Sequence, residues 1–162
     1  MKRIISIVCL SCITFVSSIY LGLLASLHYF WYPDWPVEGE PANMHRVFVM
    51  PLTRALNFFT IAVPIMCVAS LFLIYAAWRT NLRWPALWAG ILILIHTLVS
   101  IIKLMPLNDT IIEMIAANRD HRQLLIEWME INDFRLILTT IVWALSLVMV
   151  YQSGQKMRVR DD

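Results

Sequence analysis

The chain has 162 residues, of which 60% are hydrophobic and only 15% charged, and its mean hydropathy is +0.69. A soluble domain carries about a quarter charged residues, and a chain this short cannot hide such an apolar excess in its own core; a soluble protein is therefore excluded, and membrane lipids are the expected surroundings. The net charge of +2 is too small, and the basic residues too dispersed, to indicate a nucleic-acid partner.

The first apolar run covers residues 4–27 and follows Lys2 and Arg3. It is longer than the roughly 7–15 apolar residues of a cleaved signal peptide, and it reaches the about 20 residues that cross a bilayer. We therefore predict a first span over residues 4–28 that anchors the chain. A pair of small residues near its end keeps cleavage open as an alternative.

Three further apolar segments predict three more spans. Residues 31–41 hold three prolines and a glycine, which indicates an irregular loop. The second span is expected over residues 47–78. The third is expected over residues 85–105, with Pro85 in its first turn, where proline is favoured. The fourth, over residues 122–151, contains no glycine or proline and can form one long helix.

The connection between the third and fourth spans contains a strong helix-breaking signal. In the sequence Met105-Pro106-Leu107-Asn108-Asp109, the proline is expected to end the third span. Asn108 or Asp109 can then cap a short amphipathic helix over residues 110–118. The predicted fold is therefore an all-α membrane protein, a four-transmembrane-helix bundle with a short amphipathic extracytoplasmic helix.

The charged residues separate into two groups at opposite ends of the predicted spans. One end carries these bases: Lys2, Arg3, Arg79, Arg83, Lys156, Arg158 and Arg160. The other end carries these acids: Asp34, Glu38, Glu40, Asp109, Glu113, Asp120, Glu127, Glu130 and Asp133. Lysine and arginine in short loops mark the cytoplasmic side. We therefore predict one domain over residues 1–162 in a bacterial inner (cell) membrane, with both termini cytoplasmic and residues 29–46 and 106–121 outside.

Polar side chains inside the predicted spans need a partner or a purpose, because lipid does not solvate them. Two sets share helical spacing, namely His96, Ser100 and Lys103 on the third helix and Trp128, Asn132, Arg135 and Thr139 on the fourth. They predict a polar pocket in the outer half of the bundle. The candidate catalytic residues are His96, Lys103 and Arg135. The candidate substrate-binding residues are His28, Asn57, Asn108, Trp128 and Asn132.

Each of these residues also has a purely structural explanation. Lys103 and Arg135 could extend their charges to the headgroups, and the asparagines could join helices through hydrogen bonds of about 1 kcal/mol. His96 lies about three turns inside an apolar span, where a neighbouring serine or carbonyl could satisfy it. A three-histidine metal site built from His28, His45 and His96 also stays open, although the three lack a ligand spacing such as HxxxH.

Two segments resemble the signatures of a known family. Pro106-Leu107-Asn108 matches Pro-x-Asn, and residues 128–135 match Trp-x-x-x-Asn-x-x-Arg, both typical of the anthrone oxygenase-like family of small four-helix membrane proteins. Met44-His45-Arg46 also lies where that family tends to have a polar segment with a methionine. The resemblance spans about residues 10–150. It implies a site at these matching positions: Asn108, Trp128, Asn132 and Arg135.

The resemblance also implies an activity. Family members in polyketide pathways are associated with cofactor-independent oxidation of anthrones to anthraquinones, so the implied partner is a hydrophobic aromatic molecule of the anthrone or quinol type. No cofactor motif is evident in the sequence, since HExxH, a glycine-rich phosphate loop and GxSxG are all missing. Two alternatives remain: a non-catalytic protein that binds lipid or quinone or joins a membrane complex, and the metal site above. The sequence leaves the oligomeric state open.

Overall fold

The computed structural model describes the backbone of residues 2–31 and 41–161. Over these ranges the chain is helical apart from short connections and contains no β-strand. Four helices are long and apolar enough to cross a membrane: Ile4–Trp31, His45–Ala77, Arg83–Ala116 and Arg122–Ser153. The predicted all-α four-helix membrane bundle is thus confirmed. The loop predicted over residues 31–41 lies largely outside the described residues.

Three of the four long helices contain a π-helical segment. The elements in chain order are α1 (Lys2–Ser26) with the π segment Leu27–Trp31; α2 (Pro41–Met44), the π segment His45–Val49 and α3 (Met50–Ala77); α4 (Arg83–Val99), the π segment Ser100–Leu104 and α5 (Met105–Ala116); and α6 (Arg122–Asp161). We call the end of the bundle that carries α5 and the start of α6 the acidic end. Its described acids are Asp109, Glu113, Asp120, Glu127, Glu130 and Asp133.

The sequence predicts that the third long helix ends at Pro106, but the helix continues past this residue. The π segment Ser100–Leu104 explains why. In a regular α-helix, a proline ring clashes with the carbonyl of the fourth residue before it. Here the Met105 N–H donates to the Ser100 carbonyl, five residues back. This wider turn accommodates Pro106, and the helix continues into α5.

The short amphipathic helix is present, but it begins earlier than predicted. α5 starts at Met105, directly after the π segment, and no side chain caps it. The predicted cap by Asn108 or Asp109 and the predicted start of the helix at residue 110 are therefore wrong, because the chain is already helical at these positions. The exposed acids of α5 include Glu113. Its buried side chains are Leu107, Asn108, Ile111 and Ile115.

The long helices form an antiparallel ring in which α1 and α4 each pack against both α3 and α6. Two contacts show that α1 and α6 run in opposite directions. The Trp143 indole N–H donates to Ser18 Oγ at 3.0 Å, and His28 Nδ1 lies 2.8 Å from Asp133 Oδ1. The residue numbers therefore rise along α1 as they fall along α6.

Small residues allow α3 and α4 to approach closely, as membrane helices often do. A Cβ atom added at Gly90 would lie only 2.7 Å from Ile74 Cδ1. Six buried alanines belong to these two helices: Ala62, Ala69, Ala76, Ala77, Ala86 and Ala89. One hydrophobic cluster, remote from the acidic end, contains all of these alanines except Ala76, together with Ile13, Leu73, Ile93 and Met149. The second, at the acidic end, contains Phe48, Leu104, Ile111 and Trp128.

Large apolar side chains cover the outside of the long helices. Phe15, Phe72, Leu94 and Ile137 are each more than half exposed, at 64%, 54%, 56% and 59%. A soluble monomer rarely exposes extended apolar surfaces, whereas lipid tails solvate them. The protein is therefore an integral membrane protein whose outer surface fits membrane lipids.

Candidate functional site

A cavity of about 540 Å³ lies between the long helices, in the half of the bundle nearer the acidic end. All four long helices contribute to it, and most of its described lining residues are apolar. Its volume falls within the roughly 300–1,000 Å³ that is usual for small-molecule sites. The cavity is thus large enough for a drug-sized or polycyclic aromatic molecule.

A continuous set of hydrogen bonds forms one side of this cavity. The Trp128 indole N–H donates to Asn108 Oδ1 at 2.7 Å, and Asn132 Nδ2 donates to the Trp128 carbonyl at 2.9 Å. Arg135 donates to Asn132 Oδ1 at 2.5 Å and to the Tyr20 hydroxyl. All five residues are buried, and all five line the cavity. We call them the polar wall.

The α6 part of the polar wall follows from helical geometry. Trp128, Asn132 and Arg135 are spaced i, i+4 and i+7 and therefore lie on one face of α6. They are only 4%, 2% and 4% exposed. The predicted stripe on the fourth helix thus faces the interior, and Thr139 continues it at 6% exposed.

Tyr20 is a member of the polar wall that the sequence reasoning missed. It lies on α1, where its hydroxyl accepts a hydrogen bond from Arg135 and its ring packs against Phe59 and His96. The Arg135 guanidinium carbon lies 5.3 Å from the centre of the Tyr20 ring. The sequence does contain one indication of this role. Tyr20 places a phenol inside an apolar span, and a buried phenol needs a hydrogen-bond partner as much as an amide does.

Asn108 contains a buried donor that has no partner among the residues described in the structure. An indole N–H can only donate, so its contact with Asn108 must be to the amide oxygen, which fixes the orientation of the amide. The amide nitrogen, Nδ2, then finds no hydrogen-bond partner within the described part of the chain. Asn108 is 1% exposed and lines the cavity. A buried N–H₂ group thus lies beside the cavity with no acceptor among the described residues.

His96 is buried behind the cavity and does not line it. Its ring lies edge-on to Tyr20, with 4.7 Å between the ring centroids. Ser100 Oγ donates to the His96 backbone carbonyl, not to the ring. Neither ring nitrogen has a hydrogen-bond partner among the residues that the structure describes. Satisfaction of the imidazole by a neighbouring serine or carbonyl, expected from sequence, is therefore not observed.

Lys103 points away from the cavity. The π segment inserts a wider turn after Ser100, so the inward position passes from residue 103 to Leu104. Leu104 is 6% exposed and lines the cavity, while Lys103 is exposed and does not. The predicted common face for His96, Ser100 and Lys103 therefore ends at Ser100.

His28 and Asn57 also lie apart from the cavity lining. Asn57 is exposed on α3. His28 pairs with Asp133 near the acidic end, with side chains 41% and 43% exposed. Among the described residues, no three His, Cys, Asp or Glu side chains come together in a way that could hold a metal ion. The three-histidine arrangement does not form, since His45 is exposed and His96 is buried elsewhere.

No protein-family model, curated protein or solved structure matches this chain. The resemblance to the anthrone oxygenase-like family therefore stays a prediction. The four positions on which it depends, Asn108, Trp128, Asn132 and Arg135, meet in one hydrogen-bonded wall.

The cavity opens between α3 and the helix formed by α4 and α5. Thr60 on one side is exposed, and Ile101 and Met105 on the other are 54% and 47% exposed, although all three line the cavity. Pro64 lies on the same side as Thr60 and cannot donate to its carbonyl, which favours a bend in α3 beside the opening. Thr60 and Ile101 lie near the middle of helices that are long and apolar enough to cross a membrane.

Proposed function

We propose that this integral membrane protein binds a lipid-soluble, largely aromatic small molecule in the cavity between its helices. The observation that carries the proposal is Asn108 Nδ2, a donor with no partner among the described residues, which belongs to the lining of a mostly apolar cavity of about 540 Å³. The rings of Tyr20, Phe59 and Trp128 also line the cavity, and aromatic faces and edges pack well against another ring system.

The geometry favours binding over catalysis. A general base must come within hydrogen-bond reach of the proton that it removes. Of the candidate catalytic residues, Lys103 and His96 do not line the cavity. Arg135 does, but a guanidinium cannot accept a proton in a protein. It can stabilise a negative oxygen electrostatically.

Native mass spectrometry of protein purified in a mild detergent tests the binding proposal. We expect a bound small molecule, either retained from the membrane or added as anthracene. The Ala55→Trp variant fills the cavity, because Ala55 lines it, and should abolish the bound mass. Ala144→Trp makes the same change at an exposed position of α6 outside the lining and should leave it unchanged. Wild-type protein that binds nothing under either condition would overturn the proposal.

Cofactor-independent oxidation of an anthrone or quinol is a second candidate function. It is supported by the family resemblance and by Arg135 on the cavity wall, where a guanidinium could stabilise the phenolate that reacts with O₂. Oxygen uptake with added anthrone tests it, with anthraquinone and water as the products. Arg135→Gln should slow the reaction strongly, whereas Lys103→Gln should not. Wild-type protein that consumes no oxygen above the protein-free rate would exclude this candidate.

We also propose that both termini face the cytoplasm of a bacterial cell and that the acidic end faces outward. The support is the charge distribution, with Arg79 and Arg83 flanking the connection between α3 and α4 and the acids at the opposite end. Thiol labelling with an impermeant maleimide tests it. Asn118→Cys should react in intact cells and Asn81→Cys only in opened ones; the reverse pattern would contradict the orientation.

A further inference from the structure

The polar wall of the cavity contains hydrogen-bond donors and one positive charge, and it contains no acidic side chain. Among the described lining residues, Arg135 is the only charged one, and none is Asp, Glu or His. We propose that the cavity selects a ligand whose polar head presents only hydrogen-bond acceptors, such as a carboxylate, a phenolate or a ring carbonyl. This inference rests on the binding function proposed above and specifies the chemistry of the ligand.

The first donor is Asn108. Its oxygen is occupied by the Trp128 indole, and the amide cannot be turned over without placing two N–H groups against each other. The N–H groups of its Nδ2 therefore remain, with no partner among the described residues and 1% of the side chain exposed. An acceptor on the ligand would satisfy a donor whose burial otherwise carries a penalty of about 1–3 kcal/mol.

The second donor is the Tyr20 hydroxyl. A phenol can donate once and accept as well. Its oxygen accepts from Arg135, and within the described part of the chain no acceptor is recorded for its own hydrogen. Tyr20 is 5% exposed and lines the cavity, so an acceptor on a bound molecule would complete this hydrogen-bond chain.

Arg135 adds charge to these donors. Its guanidinium carries only donors and stays protonated, and its bonds to Asn132 and Tyr20 hold it in the wall. In a site of low dielectric, a fixed positive charge attracts an anion or the negative end of a carbonyl dipole more strongly than it would in water. An ammonium head, which has only donors and a like charge, is disfavoured by all three groups.

Four ligands that share one ring system test the inference in detergent-solubilised protein: anthracene-2-carboxylate, 9,10-anthraquinone, anthracene and 2-(aminomethyl)anthracene. Each dissociation constant is measured by quenching of tryptophan fluorescence and corrected for partition into protein-free micelles. We expect the carboxylate and the quinone to bind at least about tenfold more tightly than anthracene, as one charge-assisted hydrogen bond would produce. The amine should bind most weakly.

Two variants change the donors with little change of shape. Asn108→Asp keeps an oxygen for the Trp128 indole and replaces the free N–H₂ with a second acceptor, so carboxylate binding should fall by about tenfold or more while anthracene binding is retained. Asn118→Asp makes the same change at an exposed position outside the cavity and should have no effect. Tyr20→Phe removes only a hydroxyl and should weaken both acceptor ligands.

Arg135→Gln separates the two sources of acceptor chemistry. If the natural head is an anion, this variant should abolish the preference for the carboxylate over anthracene. The preference for the quinone over anthracene should remain. If the natural head is a neutral carbonyl, wild-type protein should bind the quinone most tightly of the four ligands. Either result supports a ligand whose head group accepts hydrogen bonds. Equal binding of all four ligands by wild-type protein, or tightest binding of the amine, would overturn the inference while leaving the binding function intact. Failure of all four to bind would instead overturn the binding function.

Discussion

The indole N–H of Trp128 donates to the side-chain oxygen of Asn108 across 2.7 Å and joins α6 to α5 inside the bundle. Phe48 packs edge-on against the same indole, with 5.2 Å between the ring centroids. One residue thus links three helical segments and occupies the amide oxygen of Asn108, which is itself a residue of the cavity lining. The stability of the polar wall and the proposed binding chemistry therefore depend on the same bond.

Replacement of Trp128 by phenylalanine should destabilise the protein by about 0.5–2 kcal/mol, because the aromatic contact with Phe48 remains but the Asn108 oxygen loses its donor. Trp143→Phe is the matched control, since that indole donates to Ser18 Oγ at 3.0 Å in an exposed position. The Trp143→Phe variant should lose less unfolding free energy than the Trp128→Phe variant. Reversible unfolding in mixed micelles measures both values, and equal losses would contradict the importance of the buried bond.

Replacement of His96 by leucine, which has a similar volume, should raise the melting temperature. The wild-type imidazole is 3% exposed, and neither ring nitrogen has a partner among the described residues; a buried unsatisfied group costs about 1–3 kcal/mol. Ligand affinity should remain within about twofold, because His96 does not line the cavity. Loss of affinity with intact folding would show that His96 contributes to the site.

Narrowing of the opening should slow ligand entry from the membrane. Thr60→Trp places a large ring where α3 borders the opening, whereas Ile61→Trp changes the next residue, which is 66% exposed and does not line the cavity. In lipid nanodiscs preloaded with anthraquinone, the first variant should show a lower association rate and the second the wild-type rate. Identical rates for both would mean that the ligand enters elsewhere.

The contact between α3 and α4 should not tolerate a larger side chain at Gly90. A Cβ atom there would already lie 2.7 Å from Ile74 Cδ1, whereas one at Gly22 would meet nothing within 4 Å. Gly90→Leu should cost about 1–3 kcal/mol of unfolding free energy, and Gly22→Leu about 0.5 kcal/mol or less. Ile74→Ala should restore part of the loss in the Gly90→Leu variant, which thermal unfolding can measure; no restoration would place the strain elsewhere.

The bundle could be predicted from the length of the apolar runs, and the α6 part of the polar wall could be predicted from helical periodicity. Trp128, Asn132 and Arg135 recur at helical spacing on an uninterrupted helix, so their common buried face follows from the residue numbers alone. Lys103 was assigned to the cavity by the same reasoning. That assignment failed because the π segment changes the spacing after Ser100.

The features that sequence could not predict depended on packing that no local pattern encodes. A proline ends a helix in most contexts, and only the structure shows that a wider turn before Pro106 lets the helix continue. Tyr20 is a single aromatic residue in an apolar run. Its role follows from Arg135, which is 115 residues away along the chain and is brought beside it by the antiparallel packing of α1 and α6.

Because of the π segment Ser100–Leu104, the site depends on the number of residues in this stretch as well as on the side chains of the polar wall. Each residue turns an α-helix by about 100°, so the loss or gain of a single residue in this stretch would rotate α5 by that angle relative to α4. Asn108 would then leave the indole of Trp128 and face another side of the bundle. Two proteins with every polar-wall residue in common, but with one residue more or fewer here, would not share this site.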